Sequence, residues 1–189
     1  MNPIIQAILD RTSQPRLCGP APTPQVLEMA LACALRAPDH ALQRPWRYLV
    51  IEGEGLTALG EVFAAAAADP AQPIPGDPER MRQLPLRAPM ILVPVTCHRN
   101  HPKVPPLEEH MSTAAGVAYL LLALESQGFG AMWRTGELAE HPCVASALGL
   151  ADNEQVAGFI YVGTVLAEKP AISRPMVAEV VSYWPSKAP

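Results

Sequence analysis

The segment from 108 to 127 constrains the fold of this chain more than any other feature. Its apolar residues recur on nearly all sides of a helix, so we expect a helix buried in a core or in an interface between subunits. The longest uninterrupted apolar run within it, 114–124, is shorter than the ~20 residues that cross a bilayer, which argues against a membrane span. Gly128, Phe129 and Gly130 stop the helix before an extended piece that starts at Ala131.

Weaker patterns on either side predict helices and strands without a strict β-α-β alternation. Helical spacing covers 3–10, a segment from Pro24 to just before Pro38, an alanine-rich segment that ends near 68, and 141–148. Aromatic and β-branched residues or continuous apolar runs predict strands at 46–52, 90–97 and 156–162. This order predicts a single domain, 1–189, of the α+β class, with no repeat or linker.

Two segments rich in proline fall outside these elements. Residues 69–78 hold four prolines and one glycine, which predicts a long exposed loop; a binding lid and a plain surface excursion fit it equally well. The tail, 170–189, is punctuated by proline and has too little core of its own to be stable alone. We therefore expect it to lie on this subunit or on a partner.

Composition excludes several classes of protein. With 49% hydrophobic and only 17% charged residues, part of the apolar surface is expected to be buried against a partner chain. The net charge is −4 and no block of lysines and arginines occurs, which argues against nucleic-acid binding. The N-terminus lacks the basic region of a signal peptide, and the four scattered cysteines form no Cys-x-x-Cys pair, so we expect a cytoplasmic protein with reduced thiols.

Common catalytic and nucleotide-binding motifs are missing. No Gly-x-Gly-x-x-Gly follows a strand and no phosphate-binding Walker segment occurs, so neither a Rossmann nor a P-loop interpretation has support. Residues 97–110 contain metal-capable side chains, but their irregular gaps do not match zinc-site spacing, and we expect no metal. No paired carboxylates or Ser-His-Asp set stands out, so no catalytic residue is assigned.

Three polar segments have features of ligand sites. Residues 11–16 begin with Arg11, whose planar guanidinium matches a phosphate, and Ser13 adds a hydroxyl. Residues 36–40 read Arg-Ala-Pro-Asp-His and precede a Pro-Trp pair, while the glycines of 128–136 let a backbone approach a planar ligand closely. Taken singly, each segment is also explained as a charged turn, a helix end or a helix stop.

In order and spacing, these segments together resemble the nitroreductase family, and most closely its short, YdjA-like branch. The resemblance spans nearly the whole length and rests on Asp-Arg-Thr-Ser near the start, the segments at 36–40 and 45–48, Val-Ile-Glu-Gly-Glu-Gly at 50–55, Lys-Val-Pro at 103–105, Glu-x-x-Met-Ser near 109–112, Gln-Gly-Phe-Gly at 127–130, Trp-Arg-Thr-Gly at 133–136, and Val-Ala-Gly-Phe-Ile-Tyr-Val-Gly-Thr at 156–164.

This resemblance implies a three-layer α+β fold, with a mixed, mostly antiparallel sheet flanked by helices, in an intertwined homodimer that binds FMN at the subunit interface. By position, one subunit would supply six flavin-binding residues: Arg11, Thr12, Ser13, Trp133, Arg134 and Thr135. The other subunit would supply Arg36 and His40. The segment that meets the nicotinamide of NAD(P)H would consist of Ala123, Leu124, Glu125, Ser126, Gln127 and Gly128.

The implied activity is a ping-pong reduction in which NAD(P)H reduces FMN and an electron-poor small molecule, such as a nitroaromatic or a quinone, then takes the electrons. Three alternatives stay open: another FMN-dependent reduction, of an activated alkene or free flavin; a flavin-binding sensor or partner protein without significant turnover; and a dimeric scaffold that has lost the cofactor. Thr12, Leu42 and Arg44 depart from the family pattern, which has Arg, Asn and Gln there. The substrate pocket is therefore expected to differ.

Overall fold

The computed structural model describes residues 1–167, 169 and 173–185. The strands of this part are β1 (Leu17–Cys18), β2 (Trp46–Glu52), β3 (Met90–Cys97), β4 (Gly130–Arg134), β5 (Glu154–Val156) and β6 (Phe159–Val165). Its helices are α1 (Pro3–Asp10), α2 (Pro24–Ala34), α3 (Glu54–Ala67), α4 (Pro78–Arg82), α5 (Pro106–Ser126), α6 (Glu137–Glu140), α7 (Pro142–Ala147) and α8 (Val177–Val180).

Strand β3 organises the sheet. It pairs with β2 along its whole length, from Met90 opposite Glu52 to Thr96 opposite Trp46. On its other side it pairs with β6 and then with β5. Strand β6 in turn pairs with β4 and, near its end, with β1. Every pairing within the described residues is antiparallel, as the α+β prediction with a mostly antiparallel sheet expects.

The sheet has a hydrophobic core on each face, because successive side chains of a strand point to opposite sides. Ile91, Val93 and Val95 of β3 pack with Phe63 of α3 in one core. Leu92 belongs to the other core, where α2 and α5 cover the sheet. Helices therefore flank the sheet on both faces, and the predicted three-layer arrangement is confirmed.

Helix α5 fills most of the second core. It begins at Pro106, two residues before the predicted start, because proline has no N–H to leave unpaired in a first turn. Val117, Leu120 and Leu124 are fully buried against the sheet. The opposite face is not buried in this chain, and its exposed members include Met111 and Tyr119. Within this chain, α5 is therefore a core helix on one face, as predicted.

Two secondary-structure predictions need correction. The strand predicted at 156–162 is two strands, β5 and β6, because the chain breaks direction at Gly158, whose φ is +138°. The loop predicted at 69–78 ends at Asp77, since α4 starts at Pro78. It is not wholly exposed either: Ile74 is buried in the first core, and the His141 Nε2–H donates to the carbonyl of Gln72 at 3.1 Å.

The tail is only partly described. Residues 170–172 and 186–189 of the predicted extended tail lie outside the described residues, and the remainder contains the short helix α8. Within the described part of the chain, no helix combines the length and apolarity needed to cross a bilayer.

Candidate functional site

A cavity of about 750 Å³ lies where α1 ends, α5 ends and β4 begins. Helix α1 stops after Asp10 because the backbone of Arg11 turns to an extended conformation, while the Arg11 N–H still donates to the carbonyl of Ala7 at 3.1 Å. Three residues later, the N–H of Gln14 donates to the carbonyl of Ala131 at 3.0 Å. These bonds fix the turn that carries Arg11, Thr12 and Ser13 beside the start of β4.

Glu125 connects this turn to α5. Its Oε1 accepts a hydrogen bond from the backbone N–H of Thr12 at 3.4 Å, and both residues line the cavity. Burial raises the pKa of Glu125 above its ordinary value, and the Thr12 N–H and the charge of Arg11 oppose that shift. The structure thus brings one residue of the predicted nicotinamide segment against the predicted phosphate grip.

Two basic residues of the tail line the same cavity, and the sequence analysis gave them no role. They are Lys169 and Arg174, and the Arg174 Nη2–H donates to the carbonyl of Arg11 at 3.1 Å. The sequence feature that could have pointed to them is the occurrence of two cations after the last strand, in a segment that is otherwise poor in charge. The cavity also contains an unsatisfied acceptor, since Oε1 of Gln14 is buried without a hydrogen-bond partner among the described residues.

Trp133, Arg134 and Thr135 are not among the residues that line this cavity. The indole N–H of Trp133 donates to the carbonyl of Ala157 at 3.1 Å, so it serves the packing of β4. The guanidinium of Arg134 lies over the ring of Tyr161, 5.4 Å from its centroid, and its Nε is buried without a partner among the described residues. Thr135 is exposed.

Arg36 and His40 lie apart from the Arg11 cavity within one chain. Arg36 is exposed and lines a cavity of about 500 Å³ between the end of α2 and the start of β2. His40 lies 2.6 Å, Nδ1 to Oε2, from Glu108 in the first turn of α5, and both side chains are about half exposed. Of the predicted flavin residues, Thr12 alone lines the cavity at the end of α1, with Arg11 and Ser13 on either side of it in the chain, and Arg36 and His40 lie on another surface.

The six residues of the predicted nicotinamide segment lie in three different environments. Glu125 and Gly128 line the Arg11 cavity. Ala123 and Ser126 line an apolar cavity of about 350 Å³ that also contains Ile8 and Arg36. The other two face the protein itself, since Leu124 is fully buried in the core and Gln127 Nε2–H donates to the carbonyl of Ala123 at 3.0 Å.

The metal-capable side chains of 97–110 are engaged in pairs. His98 Nδ1 lies 2.7 Å from Oε2 of the buried Glu109. The Cys97 thiol donates to Oε1 of Glu154 at 3.3 Å, and burial raises the pKa of this thiol to about 11. No three histidine, cysteine or acidic side chains of the described residues converge in a way that could hold a metal ion.

Comparisons of the sequence with known proteins agree on one family. The profile of the Nitroreductase family matches residues 9–164. The chain is 38% identical to YdjA of Escherichia coli (strain K12), a presumed NAD(P)H nitroreductase, over 95% of this chain and 98% of that one.

Two solved structures extend the comparison to the fold. A nitroreductase-like protein from Bacillus cereus has a TM-score of 0.84 at 20% identity and covers 97% of this chain and 96% of its own. A presumed nitroreductase from Desulfovibrio desulfuricans, solved in complex with FMN, has a TM-score of 0.76 at 23% identity over 99% of each chain. Since the family profile covers most of the residues and the similarity to YdjA runs nearly end to end, this chain belongs to the nitroreductase family.

Proposed function

We propose that the chain is an FMN-dependent NAD(P)H oxidoreductase, acting as a homodimer on nitroaromatic, quinone-like or other electron-poor acceptors by ping-pong hydride transfer. The observation that carries this proposal is the cavity at the end of α1. There, the turn containing Arg11 meets Lys169 and Arg174 and the glycine-flanked start of β4. At about 750 Å³, the cavity falls within the range of small-molecule and cofactor sites.

The residues of this cavity fit a phosphorylated cofactor. Lys169 and Arg174 line it together with the carboxylates of Asp10 and Glu125, which already accept from Gln6 and Thr12, so the two cations remain as donors to a phosphate. The buried Oε1 of Gln14 lacks a donor, which a ribityl hydroxyl would supply. Gly128 has no side chain and open space where one would lie, so a planar ring could approach the backbone there. The FMN-bound relative from D. desulfuricans supports the choice of flavin.

The homodimer is part of this proposal, and the position of Arg36 and His40 supports it. If they bind the same flavin as Arg11, they must come from a second copy, because in one chain they line other cavities. The outer face of α1 supports such an interface, since Ile4, Ile8 and Leu9 are each more than half exposed. An apolar face of this kind on a single chain marks a protein contact.

When bound, FMN would supply the hydride chemistry, and the protein would supply binding and electrostatics. Arg11, Lys169 and Arg174 would hold the phosphate. Arg36 and His40 of the second copy would add positive charge or hydrogen bonds, which stabilise an electron-rich ring. The name of YdjA, which mentions NAD(P)H, supports a nicotinamide donor bound near 123–128.

A titration of FMN against the purified protein, followed by quenching of flavin fluorescence, tests the site. Each of Arg11→Ala and Arg174→Ala removes a charge-assisted hydrogen bond worth ~1.5–3 kcal/mol, so the Kd for FMN should rise by about 10- to 150-fold. Arg80→Ala, an exposed arginine on α4, is the matched control and should leave the Kd unchanged. Equal affinities in all four proteins would disprove the proposed phosphate site.

A further inference from the structure

The cavity of about 500 Å³ beside Arg36 has features that the proposed flavin site does not use. It lies between the end of α2 and the start of β2, and a turn of the chain forms its rim. Its wall combines apolar and charged side chains, namely Leu35, Arg36, Asp39, Leu42, Arg44 and Trp46.

The turn is strained and held in place by one carboxylate. Ala41, Leu42 and Arg44 have φ values of +56°, +52° and +47°, in the left-handed region that non-glycine residues rarely adopt. Oδ1 of Asp39 accepts from the N–H of Gln43 at 3.1 Å, and Oδ2 accepts from the N–H of Arg44 at 2.7 Å. Backbone strain that is held in place by surrounding hydrogen bonds occurs most often at binding and catalytic sites.

Neither arginine of the cavity is engaged within the described chain, and Arg44 has no part in the proposed flavin site, to which Arg36 is assigned. Among the described residues, neither the Arg36 nor the Arg44 guanidinium forms a hydrogen bond or an ion pair. The one acidic residue of the wall is Asp39, and its oxygens already accept the two backbone N–H groups. The cavity thus has one excess positive charge and two forks of donors that match a carboxylate.

The same cavity has an uncovered apolar side. Leu42 is 75% exposed and Leu35 is 52% exposed, and Trp46 adds an aromatic surface next to them. A flat aromatic molecule would cover these side chains while its carboxylate faced the arginines. Leu42 and Arg44 are also two of the positions at which this chain departs from the family pattern, so the ligand they select is expected to be particular to this chain.

We propose that this cavity selects the electron acceptor, and that the acceptor is an aromatic carboxylate held through Arg44. The proposal rests on the proposed function, because the bound anion is the substrate of that reaction. Arg36 links the two, since it lines this cavity and also the apolar cavity that contains Ala123 and Ser126 of the predicted nicotinamide segment. An anion held by Arg44 would therefore lie close to the predicted donor site.

The test compares two acceptors of nearly equal size, 4-nitrobenzoate and 4-nitrobenzamide. The quantity measured is the ratio of their kcat/KM values in the wild type, Arg44→Gln, Arg44→Lys and the surface control Arg80→Gln. Because both acceptors use the same flavin, a loss of FMN or of intrinsic activity cancels in this ratio. The ratio should fall about tenfold in Arg44→Gln. This is the low end of the effect expected for the loss of one charged hydrogen bond, because Arg44 is exposed. It should fall less in Arg44→Lys and stay constant in Arg80→Gln.

An unchanged ratio in Arg44→Gln would overturn the inference, as would a rise in the KM for NADPH alone, which would assign Arg44 to the donor's phosphates. Calorimetric titration with 4-nitrobenzoate separates this inference from the proposed function. A protein that takes up no FMN or is not reduced by NAD(P)H refutes the proposed function. If 4-nitrobenzoate binds the wild type and binds Arg44→Gln about tenfold more weakly, the cavity is still supported as an anion site. If 4-nitrobenzoate does not bind, or binds both proteins equally, the anion site is refuted.

Discussion

Replacing Glu154 by glutamine should destabilise the protein in a pH-dependent way. Glu154 forms a two-pronged ion pair with Arg47, Nε to Oε1 at 2.7 Å and Nη2 to Oε2 at 2.6 Å, which joins the start of β2 to β5. This hydrogen bond with Arg47 holds the pKa of Glu154 at about 2, against an ordinary 4.5.

The size and the sign of the effect follow from these values. Lowering a pKa from 4.5 to about 2 corresponds to at most roughly 3.4 kcal/mol at neutral pH. The Arg47 side chain is 33% exposed, so screening by water reduces the expected loss in Glu154→Gln to about 2–3 kcal/mol. Because the folded-state pKa is the lower one, this stability is fully present above pH 4.5 and is lost as the pH falls towards 2. Only roughly 1 kcal/mol should remain at pH 3.

Urea unfolding of the wild type and Glu154→Gln at pH 7, 5, 4 and 3 measures this difference. Glu61→Gln is the matched control, since the Glu61 side chain is 58% exposed, against 14% for Glu154, and its pair with Arg82 should not change the free energy of unfolding measurably. A Glu154→Gln protein within 1 kcal/mol of the wild type at pH 7, or a gap that stays constant down to pH 3, would refute this reasoning.

Three further perturbations test other parts of the account. Glu125→Gln removes a negative charge beside the proposed phosphate site, so FMN should bind several-fold more tightly at pH 7 in a fluorescence titration, and weaker binding would contradict the assignment. Gly158→Ala should lower the free energy of unfolding by about 2–4 kcal/mol, since the new Cβ would collide with the Trp133 indole at a φ of +138°. Gly149→Ala, with open space around it, should cost about 1–2 kcal/mol, and equal losses would show that packing at Gly158 is not the cause. Ile8→Glu places a charge on the apolar face of α1, so sedimentation should show a monomer with weakened FMN binding, and a wild type that is itself monomeric would disprove the proposed interface.

The elements with strong local signals could be predicted from the sequence. The continuous apolar run of β3 and the periodicity of α5 fix the central strand and the main helix, and proline and glycine mark their ends. By contrast, β1 has only two residues and exists because Leu17 and Cys18 pair with the end of β6, a contact that local sequence does not encode. The break at Gly158 likewise depends on close contact with Trp133.

The candidate site was harder to predict because its parts are distant in the chain. Arg11 could be singled out through its motif, but the position of Arg174 against the Arg11 carbonyl depends on how the tail folds back over the end of α1. The contact between His40 and Glu108 is also long-range in the sequence. The departure at Arg44 was visible in the sequence, whereas its place in a cavity with a second unpaired arginine was not.

The most direct test of the proposed flavin enzyme is the visible spectrum of the purified protein, reconstituted with FMN, before and after anaerobic addition of NADH or NADPH. The account predicts a yellow protein with one tightly held FMN per chain, whose flavin absorbance is bleached by the nicotinamide and returns when an aromatic nitro compound is added. A protein that stays colourless after incubation with FMN, or one whose bound flavin is not reduced, would contradict it.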